Sequence, residues 1–430
     1  MKNEVPVDMG RVAAIILGGG QGSRLSPLTI TRCKPAISFG GKYRLVDIPM
    51  SNAINSGCSK IFILTQFLSS SLNHHIVDTY RLGTFSSGFI DLLPAEQKPT
   101  RHSWFQGPAD AVRQNIEYIA EKPVDYFLIL SGDQLYNMDF RKIVAFAQKT
   151  DADLVVAALP VNESDAKRMG ILKIDEKHFI SDFYEKPQDR TVLETFRLPE
   201  SMIQQGNLNK GENRPYLGSM GIYLFKREAL LTLLQQDPRE DFGKHLIPTK
   251  VKEGNVAAYL YDGYWEDIGT IDSFYKANMA LTKHNPEFNC YDEKNPIFTS
   301  HVNLAGPRFF NSQVDRSIVC EGSTIEGSTI SDSILGPRSV VKKGTIITNT
   351  YCMGNDYYHH PMNSSNMPPY CIGEECVIDR AIIDKHVHIG RGVKLINEAG
   401  LDYYDSEKVC IRDGIIVVMR GVHLPDGFIL

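Results

Sequence analysis

The sequence lacks the long apolar runs and the excess of basic residues that mark membrane proteins and nucleic-acid binders. No apolar stretch in its 430 residues reaches the roughly 20 residues of a membrane-spanning helix, and we expect no signal peptide. The net charge is −5, so the chain has no general basic field for nucleic acid. We therefore expect a cytoplasmic protein that binds neither a membrane nor a nucleic acid.

The sequence also lacks the cysteine and histidine spacings of zinc sites. Its eight cysteines include no Cys-x-x-Cys pair, and the histidine pairs at 74–75 and 359–360 are adjacent residues that cannot easily share one metal ion. Because the chain is long and has no secretion signal, we interpret the cysteines as reduced thiols rather than as a disulfide framework.

The first part of the chain, up to about residue 285, alternates two kinds of pattern. Continuous apolar runs predict strands at 12–19, 60–66, 126–133 and 152–161. Helical patterns lie between them at 69–80, 109–121 and 138–150. This alternation predicts an α/β fold with a mostly parallel, Rossmann-like sheet that helices cover on both faces. Ligands of such sheets bind beyond the carboxyl ends of the strands.

The last part of the chain repeats an aliphatic residue every six positions. Two runs show this period: Ile334, Val340 and Ile346, then Val377, Ile383, Ile389 and Leu395. The period predicts a left-handed parallel β-helix, with an ordinary β-sandwich as the alternative. The segment 354–370 interrupts the period and predicts a loop. We expect a first domain at 1–285, a linker at 286–300, and a β-helix domain at 301–430.

A glycine-rich loop, "GGGQGSR" at 18–24, follows the first predicted strand. It is not a Walker loop, because no Gly-Lys-Ser/Thr closes it, and Ser23 stands where the dinucleotide fingerprint has its third glycine. Arg24 and Lys34 follow, and two cations beside exposed backbone N–H groups suit a polyphosphate. A tight turn without a ligand is the alternative.

Two aspartates are candidate metal ligands. Asp133 ends the apolar strand of "LILSGDQLY", and Asp267 lies in "GYWEDIGT". Mg²⁺ is usually held by one or two carboxylates together with substrate phosphates. For a single aspartate at a strand end, a helix cap or a turn is an equally good explanation.

Taken together, these motifs resemble one family over essentially the whole chain. "LGGGQGSRL", "RCKPA", "GPADAVRQ", "LILSGDQLY", "FYEKP", "YLGSMGIYLF", "DFGKHLIP" and "YWEDIGTI" occur in this order. The set resembles the ADP-glucose pyrophosphorylases, in particular the catalytic subunits of the plant and cyanobacterial type. The first loop is common to all sugar nucleotidyltransferases, whereas "FGGKYRLVDIPMSNAINSG" and "FQGPADAVRQN" favour the ADP-glucose branch.

The resemblance implies a reaction and a set of ligands. ATP and α-D-glucose 1-phosphate would form ADP-glucose and pyrophosphate with Mg²⁺, the first committed step of glycogen or starch synthesis. Catalysis would consist of positioning and charge neutralisation, without a covalent enzyme intermediate. The family also implies that the first domain is catalytic, that the β-helix domain serves regulation and oligomerisation, and that the protein forms a homotetramer, or a heterotetramer with a related subunit.

The resemblance assigns roles residue by residue. It implies catalytic roles for Arg24, Lys34 and Asp133, and a metal site formed by Asp133 and Asp267. It implies nucleotide contacts by Gly18, Gly19, Gln97, Gly107 and Asp110, although Pro108 replaces the usual threonine of that segment. It implies sugar-phosphate contacts by Phe105, Gly170, Glu185, Lys186 and Ser219. An ordinary solvated ion pair is the alternative for Glu185 and Lys186.

Basic residues also stand where the plant-like family binds anionic effectors: Arg32, Arg44, Lys385 and Arg420. We expect one anion pocket between the two domains, with 3-phosphoglycerate as activator and inorganic phosphate as inhibitor. Thr31 stands where the branch that responds to fructose 1,6-bisphosphate has lysine. Four unrelated surface cations are the alternative.

Two other functions fit the same fold. The chain could be a non-catalytic regulatory subunit of this enzyme, although such subunits typically replace the residues at Arg24 and Lys34. It could also be a sugar-1-phosphate nucleotidyltransferase that uses another base or another sugar.

Overall fold

A computed structural model describes residues 7–83, 86–96, 104–199, 214–359 and 368–430. The strands of its first part, in chain order, are β1 (Val12–Leu17), β2 (Ser38–Phe39), β3 (Tyr43–Arg44), β4 (Lys60–Thr65), β5 (Phe89–Pro94), β6 (Tyr126–Ser131), β7 (Gln134–Tyr136), β8 (Leu154–Val161), β9 (Gly170–Ile174), β10 (Ile180–Glu185), β11 (Tyr216–Lys226), β12 (Val256–Leu260) and β13 (Trp265–Asp267).

Nine of these strands form one sheet with the order β10-β9-β11-β6-β1-β4-β5, in which β8 pairs with both β11 and β12. Strands β6, β1, β4 and β5 are parallel, as are β8 and β12, whereas β11 runs antiparallel to β6, β8 and β9. The apolar runs of β1, β4, β6 and β8 are buried on both faces, which explains why their sequences do not alternate. The predicted α/β sheet is confirmed.

Helices of the first part pack on this sheet, except the last, which packs against the β-helix domain. They are α1 (Asp47–Asn55), α2 (Ser70–Thr79), α3 (Pro108–Gln114), α4 (Ile116–Ala120), α5 (Phe140–Thr150), α6 (Glu163–Ala166), α7 (Arg190–Thr195), α8 (Arg227–Gln236), α9 (Ile247–Glu253) and α10 (Ile271–Ala280). None of the helices in the described ranges combines the length and the apolar character that crossing a membrane requires.

The single helix predicted at 109–121 is wrong, because the chain breaks between α3 and α4. Asn115 lies at the break with φ −106° and ψ 9°, and its side-chain amide donates to the carbonyl of Ala111 over 2.9 Å. An asparagine side chain that bonds to the backbone competes with helical hydrogen bonds, which is consistent with a break at this residue.

The second part is a β-helix of short strands: β14 (Arg308–Phe310), β15 (Gln313–Asp315), β16 (Ile318–Val319), β17 (Thr324–Glu326), β18 (Thr329–Ser331), β19 (Ile334–Leu335), β20 (Val340–Val341), β21 (Ile346–Thr348), β22 (Tyr351–Cys352), β23 (Val377–Asp379), β24 (Ala381–Ile383), β25 (His388–Ile389), β26 (Lys394–Leu395), β27 (Tyr403–Asp405), β28 (Val409–Arg412), β29 (Ile415–Val418) and β30 (His423–Leu424). Strands from successive coils pair in parallel, for example β15, β18, β21, β23 and β26.

The six-residue period predicted the β-helix correctly but did not always mark the inward residue. Ile334, Ile383, Ile389 and Leu395 are buried, whereas Val340 and Val377 are half-buried and Ile346 is 45% exposed. At these three positions the following residue, Val341, Ile347 or Ile378, is the buried one. Neighbouring side chains of a strand point to opposite faces, so that two adjacent aliphatic residues leave the phase ambiguous.

The chain between α10 and β14 packs on the first domain. The backbone N–H of Phe298 donates to Ser51 Oγ over 2.8 Å, and the hydroxyl of Thr299 donates to Asp47 over 2.7 Å. One apolar cluster also joins the two parts, because Ile37 and Phe274 pack in the same core as Tyr351. The domain limits at 285 and 300 remain a proposal.

Candidate functional site

The glycine loop begins at the carboxyl end of β1, where neighbouring strands crowd the backbone. The N–H of Gly18 donates to the carbonyl of Leu64 over 2.8 Å, and a Cβ at Gly18 would lie 3.2 Å from that oxygen. A Cβ at Gly19 would lie 3.4 Å from the Cβ of Gln66. A Cβ at Gly20, by contrast, would have no described heavy atom within 4 Å. The first glycines therefore serve packing, and the loop is open around Gly20.

Gly22 turns the loop over Lys34. It has φ +63°, and a Cβ there would lie 3.0 Å from the Cβ of Lys34. The conformation and the contact both favour glycine at this position. Lys34 is buried at 8% exposure and starts the short helical turn Lys34–Ala36. The sequence "KPA" therefore fixes the lysine beneath the glycine loop.

The ammonium group of Lys34 lies between the two predicted metal ligands. Its Nζ is 2.6 Å from Asp133 Oδ2 and 3.6 Å from Asp267 Oδ1. The hydroxyl of Ser131 donates to Asp133 Oδ1. Both oxygens of Asp133 are thus held, one by the hydroxyl and one by the lysine.

A short antiparallel ladder brings the two aspartates together from distant parts of the sequence. Strands β7 and β13 pair so that Asp267 lies opposite Gln134, the residue next to Asp133. The side chain of Gln134 is buried and accepts a long, 3.4 Å hydrogen bond from the indole N–H of Trp265. The sequence patterns did not predict this ladder, because the two strands that form it are only three residues long.

The electrostatics of this group favour its charged forms. Burial alone would lower the pKa of Lys34, but the charges of Asp133 and Asp267 outweigh burial and raise it above its usual value. Burial alone would raise the pKa of Asp133, and Lys34 nevertheless holds it below its ordinary range. Lysine and aspartate therefore stay ionised near neutral pH.

Arg24 completes what we call the strand-end cluster: Arg24, Lys34, Asp133 and Asp267. Arg24 is exposed, and a Cβ at Gly269 would lie 3.5 Å from its Nη2 and 3.4 Å from Asp267 Oδ2. The guanidinium group therefore lies beside the Asp267 carboxylate. The structure brings together the four residues for which the sequence predicted catalytic and metal-binding roles.

The two aspartates fit a magnesium ion. Their oxygens already converge on one cation, and Mg²⁺ prefers oxygen ligands. Across the described residues there is no group of three or more His, Cys, Asp or Glu side chains that could hold a metal ion. A metal ion at Asp133 and Asp267 would therefore take its other ligands from water and substrate phosphates, which is usual for magnesium.

The segment "GPADA" packs against a neighbouring loop. The N–H of Ala109 donates to the carbonyl of Glu240 over 2.9 Å, and a Cβ at Gly107 would lie 2.5 Å from that oxygen. Pro108 is the first residue of α3, where proline is tolerated.

Asp110 of the same segment is committed to its own surroundings. Its carboxylate accepts from the backbone N–H of Gln106 over 3.0 Å and from the side chain of Gln114 over 2.7 Å, and it pairs with Arg113 over 3.4 Å. These contacts make Asp110 an anchor of α3.

A second group surrounds Glu185 at the end of β10. A Cβ at either Gly170 or Gly243 would lie 2.7 Å from Glu185 Oε2, so two glycines leave room for this carboxylate. Lys186 has φ +52°, and its ammonium group is 3.1 Å from Glu185 Oε1. Gly243 had no predicted role, although it belongs to the motif "DFGKHLIP".

The remaining predicted contacts differ in position. Ser219 is buried beside an irregularity of β11, and its Oγ accepts from the N–H of Gly221 over 3.3 Å. Phe105 packs against the core of the sheet, and its carbonyl accepts from the side chain of Gln66 over 3.4 Å. Gln97 lies outside the described residues.

The four predicted effector residues lie in or near the contact between the two domains, and two carboxylates join them. Arg32 forms an ion pair with Asp384 in which both side chains are only 3% exposed. Lys385 Nζ is 2.6 Å and Arg420 Nη2 is 3.8 Å from the carboxylate of Asp356. Together with Arg44, we call these residues the interdomain cluster.

Burial shapes the charges of this cluster. It lowers the pKa of Arg44 and of Lys385, although the charge of Asp356 opposes the effect at both residues. Burial would raise the pKa of Asp356, but a hydrogen bond from His386 and the charge of Lys385 hold it far below its usual range. Asp356, Asp384 and His386 had no predicted role, because no spacing in the sequence links them to the arginines.

Comparison with protein families agrees with this architecture. A model described as "Nucleotidyl transferase" matches residues 13–284, and one described as "GLGC left-handed parallel beta-helix domain" matches residues 303–429. The fold class is thereby confirmed, including the left-handed β-helix. This pair of domains is the signature of proteins like ADP-glucose pyrophosphorylase. The first match covers more than half of the chain, and the protein therefore belongs to the nucleotidyl transferase family.

Proposed function

We propose that this protein transfers the adenylyl group of ATP to α-D-glucose 1-phosphate, which yields ADP-glucose and pyrophosphate. The observation that carries the proposal is the strand-end cluster, in which two cations and two carboxylates meet beside an open glycine loop. An inactive regulatory subunit would have no need for this arrangement.

The cluster suits the chemistry of a triphosphate. Arg24 is exposed and offers a fork of donors to phosphate oxygens, and Lys34 supplies a charge from below the loop. An anionic oxygen of the sugar phosphate attacks the α-phosphorus, the new P–O bond forms, and the bond to the leaving pyrophosphate breaks. Since the attacking oxygen is already ionised, no general base and no covalent enzyme intermediate are needed.

Asp133 and Asp267 would hold Mg²⁺ in this reaction. Ser131 orients Asp133, and the β7–β13 ladder fixes Asp267 beside it. When bound, the metal ion neutralises charge on the phosphates and so lowers the barrier.

The sugar phosphate would bind beside Glu185. Its carboxylate, for which Gly170 and Gly243 leave room, would accept hydrogen bonds from sugar hydroxyl groups. Lys186 is half exposed at 54% and would bind the phosphate of glucose 1-phosphate. Ser219 and Phe105 would line the same pocket, while Gly18, Gly19, Gly107, Asp110 and Gln97 would lie on the adenosine side.

The interdomain cluster would bind an anionic effector, with 3-phosphoglycerate as activator and inorganic phosphate as inhibitor. The cations come from both domains: Arg44 from the first domain, and Lys385 and Arg420 from the β-helix domain. An anion bound by all three would favour one arrangement of the two domains. The assembly would be a homotetramer, or a heterotetramer with a related subunit, held in part by the β-helix domain.

The test is an assay of the purified chain with ATP, UTP and GTP against a panel of sugar 1-phosphates. The proposal predicts that ATP and glucose 1-phosphate are the preferred pair of substrates. Their reaction should release pyrophosphate and form a nucleotide sugar. Preference for another pair would establish a related transferase instead. If the chain alone shows no turnover but activates a related subunit on mixing, it is a regulatory subunit.

A further inference from the structure

We propose that Lys34 occupies the position of the divalent metal ion between Asp133 and Asp267, and that the metal ion binds only when the lysine ammonium leaves the two aspartates. The inference rests on the proposed function, since it takes Asp133 and Asp267 as the metal ligands. It adds a second role for Lys34, which holds Asp133 and Asp267 together before it binds phosphate.

The geometry of the site supports this exchange. The ammonium group lies 2.6 Å from one aspartate and 3.6 Å from the other, so one cation serves both carboxylates. Ser131 holds the other oxygen of Asp133, which leaves Oδ2 as the oxygen that faces the cation. A metal ion that binds Asp133 Oδ2 and Asp267 Oδ1 together would take the position of the Lys34 ammonium group.

The charges explain why a place-holder is needed. Without Lys34, the ladder of β7 and β13 would hold two ionised carboxylates side by side, and like charges at short range repel. The lysine stem is fixed by Gly22 and Pro35, but its terminal ammonium group can move on a flexible chain. A bound triphosphate offers that group an alternative anion, so that nucleotide and metal ion help each other to bind.

The first experiment measures binding of Mn²⁺ alone, followed by electron paramagnetic resonance without nucleotide. Lys34→Met should bind Mn²⁺ about tenfold more tightly than the wild-type protein, because one competing positive charge is removed. Lys42→Met is the matched control, since Lys42 is exposed and pairs with Glu321 of the β-helix over 3.7 Å. Equal or weaker binding by Lys34→Met would overturn the proposal.

A double variant locates the gain. In Lys34→Met/Asp133→Asn the gain in Mn²⁺ affinity should disappear. A gain that persists would mean that the ion binds elsewhere, which would also refute the proposal. These outcomes are independent of substrate choice: the assay with nucleotides and sugar phosphates can succeed while the exchange fails, and the reverse.

A second measurement uses the wild-type protein and does not depend on a folded variant. Acetylation of lysines by a water-soluble ester is followed by mass spectrometry with and without saturating Mn²⁺. Release from the aspartates should increase the labelling of Lys34 several-fold and leave Lys42 unchanged. Labelling of Lys34 that stays constant or falls on addition of Mn²⁺ would contradict the exchange.

Discussion

Two clusters of the molecule contain the same kinds of charged residue but differ in access to solvent. In the strand-end cluster Arg24 is exposed and Asp267 is 46% exposed, so ligands can reach the charges. In the interdomain cluster Arg32 and Asp384 are sealed from solvent as a pair. An ion pair that is sealed on both sides keeps its partner, whereas the buried Lys34 lies beside the exposed Asp267, where a substrate phosphate or a metal ion can reach it. We therefore assign exchange chemistry to the first cluster and a structural link to the Arg32–Asp384 pair.

The largest effect should come from the open cluster. Asp133→Asn keeps the shape of the side chain but removes a ligand charge, and metal stabilisation is worth several kcal/mol of barrier, so kcat should fall by about a thousandfold. Steady-state assay at saturating Mg²⁺ measures this, with Asp151→Asn as control because Asp151 is highly exposed and remote in the fold from the strand ends. A folded Asp133→Asn protein with wild-type rates would refute the metal role.

Breaking the buried Arg32–Asp384 pair should lower the stability of the protein. Arg32→Ala leaves Asp384 buried without its partner and should lower the free energy of unfolding by about 3–5 kcal/mol. Urea unfolding followed by circular dichroism measures the change. Arg391→Ala is the matched control: its ion pair with Glu375 is exposed, and exposed pairs contribute little to stability. Equal losses of unfolding free energy in the two variants would contradict the distinction between buried and exposed pairs.

The sugar-phosphate group gives a smaller effect on binding. Lys186→Ala should raise the KM for glucose 1-phosphate by about tenfold and leave the KM for ATP nearly unchanged, because a lysine on the sugar phosphate contributes mainly to ground-state binding. Lys167→Ala serves as control, since Lys167 is partly exposed and pairs with Glu163 over 2.8 Å. A change in the KM for ATP instead would reverse the assignment of the two pockets.

The smallest effect concerns Lys385 and Arg420, two partly buried cations between the domains. Lys385→Ala/Arg420→Ala should lose activation by 3-phosphoglycerate, a coupling of roughly fivefold or more, while the unactivated rate stays unchanged. Lys394→Ala, at an exposed lysine of the β-helix, is the control. Activation equal to that of the wild-type protein would exclude these cations as the effector site, and no activation of the wild type would exclude this effector.

The sequence predicted the two-part fold and the residues of the strand-end cluster, because glycine loops, strand-end aspartates and a six-residue period are local patterns. It could not predict which side chains pair with the charged residues of either cluster. Asp384 lies 352 positions from Arg32, and Ser131 looks like an ordinary strand residue until its hydroxyl meets Asp133. The phase at Ile346 was also beyond the sequence, since Ile346 and Ile347 are equally aliphatic and only the coil geometry decides which is buried.

The central claim, nucleotidyl transfer at the strand-end cluster, is tested most directly by tracing the α-phosphate of ATP. The purified chain is mixed with ATP labelled at the α-phosphorus, glucose 1-phosphate and Mg²⁺, and the products are separated. The account predicts that the label appears in ADP-glucose together with an equal amount of unlabelled pyrophosphate, and that none becomes bound to the protein. Label that stays in ATP, or that becomes attached to the protein as an intermediate, would contradict it.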